Sequence, residues 1–194
     1  MCNLYRMSKS AAEIGSLFEV QAVGGANFGA EVYPGYSGLV IADGSAQTMV
    51  WGFPLSLKGK SGQPLKPKPV NNAREDKLGS SFWKPSFERR RCLIPVSAWA
   101  EAEGNKGEMT PTWYSVAGQD VFMVVGIWRP TEEWGNAYSM VMVGNCNPDY
   151  APSSRSELCR EDCAAEGYIY QAARARLDRR QLERRAVPLR ISAC

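Results

Sequence analysis

Short apolar segments rich in β-formers, separated by turn residues, run through most of this chain and leave little room for helices. Residues 91–95, 112–116, 121–127 and 138–143 are each too short for a stable helix, and their valines, isoleucines and aromatics suit a pleated surface. Segments 39–41 and 47–51 face each other across Asp43-Gly44, a dipeptide that readily takes the positive φ values of a tight hairpin turn. Segment 58–69 alternates proline with lysine and glycine. A proline has no amide to donate, so this stretch is excluded from a central strand or a helix interior. One short helix is predicted over 10–19, where Ser10 can cap apolar residues at helical spacing, and a glycine-rich loop over 24–29. Many short strands with few helices predict a single α+β domain: a mixed, barrel-like β core with a few flanking helices.

The 194 residues suffice for one domain with a proper core, and no repeat or linker marks a second. The β-rich pattern stops after Pro152. Segment 172–190 is crowded with Arg174, Arg176, Arg179, Arg180, Arg184, Arg185 and Arg190 around Leu177 and Leu182, as in a basic amphipathic helix or a nucleic-acid-binding tail. The division expected is a core over 1–151 and a separate arginine-rich segment over 152–194. No stretch approaches the roughly 18 apolar residues of a membrane helix, and the first residues lack the apolar centre of a signal peptide. The expectation is a cytoplasmic protein with reduced thiols and no membrane partner.

A net charge of +3 says less than its distribution. Lys58, Lys60, Lys66, Lys68, Arg74, Lys77 and Lys84 lead into Arg89, Arg90 and Arg91, interleaved with Trp51, Phe53, Phe82, Trp83 and Phe87. Cations beside stacking rings are what a sequence-tolerant single-strand binder needs. A solvated basic face over core aromatics gives the same composition.

Four residues could carry chemistry. Methionine before a small residue is normally removed, which would leave Cys2 with a free α-amine beside its thiol. An aldehyde condenses with such an amine, and the thiol then closes a thiazolidine ring. With a pKa of about 7.7–8.0, the amine is about a tenth neutral at pH 7, far more than an ordinary lysine. Asn72 can hold a sugar hydroxyl or satisfy its own turn, and Arg74 can grip a phosphate in a bidentate way. Glu101 follows an apolar strand beside Trp99, where desolvation would raise a carboxyl toward a useful proton-transfer range. The other reading is a rim glutamate paired with a lysine, with Glu103 as its neighbour on the same face.

The chain has no histidine. Cys159 and Cys163 have helical spacing, but with Cys146 they do not complete a zinc set, and Gly24-Gly25 lacks the setting of a phosphate or dinucleotide loop. Neither metal nor cofactor is expected.

In order, MCNLYRM, VWGFP, PVNNAR, RRCLIPVSAWAEAEG and VVGIW resemble the SRAP family, the SOS-response-associated peptidases or abasic-site processing proteins. The resemblance runs from Met1 to about Tyr150. It implies a mixed β core with a positively charged groove for single-stranded DNA, and a monomer that forms a thiazolidine between Cys2 and the ring-opened sugar of an abasic site. By matched position, Asn72 would stabilise the linked sugar, Arg74 would hold phosphate, and Glu101 would move protons. Trp51, Gly52 and Pro54 would help form the DNA-facing wall.

Three departures stand out. The family commonly opens Cys-Gly-Arg, where this chain has Cys2-Asn3-Leu4, so any contact from that arginine is missing. Gly-Phe-Tyr-Glu-Trp is replaced by Ala98-Trp99-Ala100-Glu101-Ala102, which keeps the carboxylate in altered packing. Pro152-Ser153-Ser154-Arg155-Ser156 stands where the family places a His-Asp-Arg-Met-Pro-like motif. The last 40 or so residues are then either unrelated to the usual C-terminus, as after a reading-frame change, or a divergent functional end. The alternatives to cross-linking are a non-catalytic single-strand binder and an N-terminal-cysteine peptidase.

Overall fold

A computed structural model describes residues 2–23, 28–105 and 107–142, and the backbone of 169–170. In chain order the elements are β1 (Leu4–Arg6), α1 (Ala11–Phe18), β2 (Gln21–Ala22), β3 (Glu31–Val32), β4 (Ser37–Ala42), β5 (Ser45–Trp51), β6 (Phe53–Leu55) and β7 (Lys68–Val70). There follow β8 (Asn72–Arg74), a 3-10 turn (Glu75–Lys77), α2 (Lys84–Arg89), β9 (Arg91–Val96), β10 (Ala98–Glu103), β11 (Thr110–Tyr114), β12 (Phe122–Thr131), β13 (Gly135–Met142) and β14 (Ile169–Tyr170).

Five strands close a barrel. β12, β9, β4, β5 and β13 pair in that order, and β13 pairs back onto β12. The ladders are antiparallel except β5–β13, which is parallel. Closure removes the open edges that a sheet of this length would otherwise present. β8 extends the barrel wall as a parallel neighbour of β13, with Asn72 opposite Met140. A second sheet, β11-β10-β1-β3, is antiparallel throughout. β6 and β7 form a separate two-stranded ribbon.

Local chemistry explains the sharpest corners. Asp43 (φ 50°) and Gly44 (φ 74°) both take positive φ and turn β4 into β5, as their dipeptide predicts. α1 begins in a reciprocal capping box: Ser10 accepts from the Glu13 amide at 3.2 Å, and Glu13 accepts from the Ser10 amide at 2.8 Å. The helix predicted over 10–19 is thus the helical Ala11–Phe18 with Ser10 and Glu19 as its caps. Within the proline- and lysine-rich stretch, Lys68 and Pro69 join a strand, but only in the peripheral ribbon, where Pro69 faces Pro54.

Two cores hold the molecule. The larger fills the barrel with Tyr5, Leu39, Met49, Trp51, Ile94 and Tyr138; the smaller packs Phe53, Leu78, Trp83, Ile127 and Val141 under α2 and β6. Full burial of each large apolar side chain is worth about 1.5–3 kcal/mol. Packing is tight at Gly38, where a Cβ would collide with the hydroxyls of both Tyr5 and Tyr138. Most of the loop over 24–29, the end of the segment predicted to reach 143, the cysteines Cys146, Cys159 and Cys163, and segment 172–190 lie outside the described residues.

Candidate functional site

Cys2 lies where three elements meet. It precedes β1, whose Leu4 pairs with Ala100 of β10, and it touches the start of β8. Its carbonyl oxygen accepts two amide hydrogens, from Asn71 Nδ2 at 2.9 Å and Asn72 Nδ2 at 2.8 Å. Asn71 Nδ2 also donates to Asn3 Oδ1 at 3.2 Å. The Asn71 carbonyl is itself held by Trp51 Nε1 at 3.2 Å and the Met140 amide at 3.0 Å. Two side chains thus fix the Cys2 backbone to the barrel wall. Asn71 was missed in the sequence, although the doubled asparagine of VNNAR signals it.

Asn72 Oδ1 is buried and has no hydrogen-bond partner among the described residues. Such an acceptor costs about 1–3 kcal/mol unless something donates to it. With its amide nitrogen committed to Cys2, the oxygen is the one polar atom of this side chain left without a partner among the described residues.

The Cys2 side chain is 5% exposed, and Sγ donates to the Leu4 carbonyl at 3.4 Å. Burial pushes the thiol up to about 12, and the negative charge of Glu101 pushes it the same way. At neutral pH this sulfur is a thiol, and so a weak attacker until another group has engaged the electrophile.

Glu101 is half-buried in the middle of β10, opposite Thr112 of β11. This corrects its placement at the end of an apolar strand: β9 stops at Val96, and after Ser97 the chain enters the other sheet. Glu101 lines an open recess with Asn3, Leu4, Ala100, Thr110 and Pro111. Glu103 shares its face by alternation and is exposed, accepting from Thr112 Oγ1 at 2.9 Å and from the Tyr114 hydroxyl. Trp99 stacks on Tyr114, with centroids 5.6 Å apart at 23°.

Arg74 ends β8 at the surface, where its guanidinium holds Asp76 in a fork at 2.9 and 3.0 Å. Trp51 is fully buried, set edge-on against Tyr5 at 5.0 Å. It therefore reaches the site through Asn71 and presents no face of its own. Gly52 (φ 109°) donates to the Tyr138 carbonyl at 2.7 Å, and a Cβ there would lie 2.6 Å from Pro69 Cβ. Pro54 is buried as well. All three are thus buried and present no open face. The exposed rings beside them are Tyr33 and Tyr36, whose Pro34-Gly35 turn is hydrogen-bonded to Trp51.

Of the aromatics that interleave with the basic run, Trp51, Phe53 and Trp83 are core, and Arg129 lies over Phe53 at 4.2 Å. The lysines are exposed. Among the described residues no cluster of metal-type ligands occurs, and no helix is long and apolar enough to cross a membrane.

A family model described as SOS response associated peptidase (SRAP) matches residues 1–150. Among curated proteins no sequence match is found. Solved structures share the fold. A protein from Bordetella bronchiseptica superposes with a TM-score of 0.60 at 20% identity, over 87% of this chain and 82% of that one. A protein from Bacteroides thetaiotaomicron gives 0.57 at 16% identity, over 73% and 68%. A phage-related protein from Bordetella bronchiseptica gives 0.51 at 17% identity, over 73% and 69%.

Proposed function

Because this chain belongs to the SOS response associated peptidase family, we propose that it binds single-stranded DNA and captures abasic sites through Cys2, in the response to DNA damage. The observation that carries this reading is the pair of asparagine amides on the Cys2 carbonyl, with Asn72 Oδ1 left free beside them.

Removal of Met1 exposes the α-amine of Cys2. The amine adds to the aldehyde of the ring-opened sugar and water leaves, giving a Schiff base. The thiol then adds across the C=N bond: sulfur bonds to carbon, the thiol proton passes to nitrogen, and the thiazolidine closes. An amine-first order suits a sulfur that burial keeps protonated. Asn71 and Asn72 hold the backbone, so amine and thiol keep one orientation. Asn72 Oδ1 accepts from a sugar hydroxyl or from the N–H of the carbinolamine that precedes the Schiff base. Glu101, close enough for its charge to act on the Cys2 thiol, moves protons during ring opening and dehydration. Arg74 exchanges Asp76 for a backbone phosphate.

Intact-mass measurement after incubation with an abasic oligonucleotide tests the proposal. A denaturant-resistant adduct is expected, and Cys2→Ala abolishes it. Thiol burial favours a second reading, a strand binder without chemistry, which predicts retained binding and no adduct. Cleavage of peptides in place of adduct formation would return the weight to a peptidase.

A further inference from the structure

Between Phe53 and Val70 the chain leaves the barrel as a ribbon bonded to its tip. Phe53, Pro54 and Leu55 pair with Val70, Pro69 and Lys68. Farther out, the Leu65 amide donates to the Leu57 carbonyl at 2.9 Å, and Lys58 bridges Pro64. Gly59 donates to the Gln63 carbonyl at 2.8 Å, and Gly62, with φ 80°, completes the turn. Pro64, Pro67 and Pro69 fix φ along the returning strand. From Leu55 to the tip at about 3.3 Å per residue, the ribbon reaches roughly 20 Å.

Its charge has one sign. Lys58, Lys60, Lys66 and Lys68 are all exposed, and residues 53–70 contain no aspartate or glutamate. None of the four pairs with an acidic group among the described residues, whereas Arg6, Arg74 and Lys84 each do. Four like charges on one stiff element repel one another and are balanced by a polyanion. Leu55, Leu57 and Leu65 are 37%, 40% and 44% exposed between the lysines, giving apolar contact alongside the charge. The root of the ribbon is the site itself: Val70 leads directly into Asn71 and Asn72, and Pro69 packs against Gly52.

We infer that residues 55–68 form a phosphate-gripping arm that holds the DNA strand on one side of Cys2. The arm rests on the single-strand reading above and adds a discrete element to it, separate from the pocket that does the chemistry. A strand running along it meets up to four cations, which makes affinity steeply salt-dependent and extends the footprint in one direction only.

The test combines Lys58→Gln, Lys60→Gln, Lys66→Gln and Lys68→Gln, exposed changes that keep side-chain length and remove charge. Binding of a fluorescein-labelled thymidine oligomer without an abasic site is followed by anisotropy across a salt series. Four lost single-strand contacts make the slope of log K against log salt shallower by about 2.8, at about 0.7 each. A change larger than about 1.4 supports the arm, and any smaller change overturns it, pointing the lysines toward an acidic protein surface instead. Adduct formation by the parent with an abasic oligomer is measured in parallel. An altered slope without adduct keeps the arm and removes the capture chemistry; an adduct with an unmoved slope does the reverse.

Discussion

At the scale of single residues, the site sets a buried, protonated sulfur against a backbone held from two sides. Asn72→Ala separates positioning from folding. It removes one hydrogen bond to the Cys2 carbonyl, worth about 0.5–1.5 kcal/mol net, and also removes a buried oxygen that lacks a partner. The two effects offset, so urea unfolding should shift by less than about 1 kcal/mol while adduct formation slows at least about tenfold. A large loss of stability with unchanged adduct rate would make Asn72 a structural residue. Glu101→Gln makes a sharper case, since no histidine exists to share the proton work. Acid–base help from one group is typically worth ~10²–10⁴ in rate. The variant should lose that factor across pH 5 to 9, and the thiol should ionise below about 12, because the Glu101 charge no longer opposes it while burial still does. An unchanged rate would leave Glu101 as a rim charge.

At the scale of elements, Gly52 couples the barrel to the arm. Gly52→Ala must adopt a φ of 109° and place its Cβ 2.6 Å from Pro69. Backbone strain of about 1–3 kcal/mol and overpacking of similar size should lower the urea midpoint clearly. A loss under about 1 kcal/mol would show that the ribbon moves away freely. Arg74→Ala, by contrast, should leave stability nearly untouched, since it removes an exposed pair with Asp76, and make the salt slope for single strands shallower by about 0.7. What the sequence disclosed among these elements was local. Ser10 with Glu13, and Asp43 with Gly44, each specify their own geometry within a few residues, so α1 and the β4–β5 hairpin were legible. α2 was not, because its six residues bury only Ser86 and show no apolar stripe. Trp51 marks the limit for the site: a large ring suits a stacking platform and a core equally, and only the barrel decides. The Asn71 contact joins residues 69 apart through the parallel β13–β8 ladder, which no local pattern encodes.

At the scale of the whole molecule, closing the barrel places four ionisable groups in the core: the thiols of Cys2 and Cys92 and the phenols of Tyr5 and Tyr138. The two phenols hydrogen-bond each other beside Gly38, and Gly126 leaves room for the Cys92 sulfur. Burial raises all four above their ordinary values, Cys2 to about 12. Below about pH 8.5 the folded and unfolded chains both keep these protons, so they add no pH dependence. Above it the unfolded chain releases thiol protons, and above about pH 10 phenol protons, which the folded core retains. The unfolded state then binds fewer protons, and stability falls with pH by about 1.4 kcal/mol per unit for each titrating group, until the folded values are reached. Urea unfolding from pH 7 to 11 should therefore show a plateau, a decline setting in near the thiol range, and a steeper decline past the phenol range. Cys92→Ala removes one thiol whatever it costs in packing, so between about pH 9 and 10 its slope should be shallower than the parent's by about 1.4 kcal/mol per unit. Tyr138→Phe should relieve the slope only above about pH 10. If Cys92→Ala declines as steeply as the parent, the Cys92 sulfur ionises in the folded protein, and the barrel is open to water at that point.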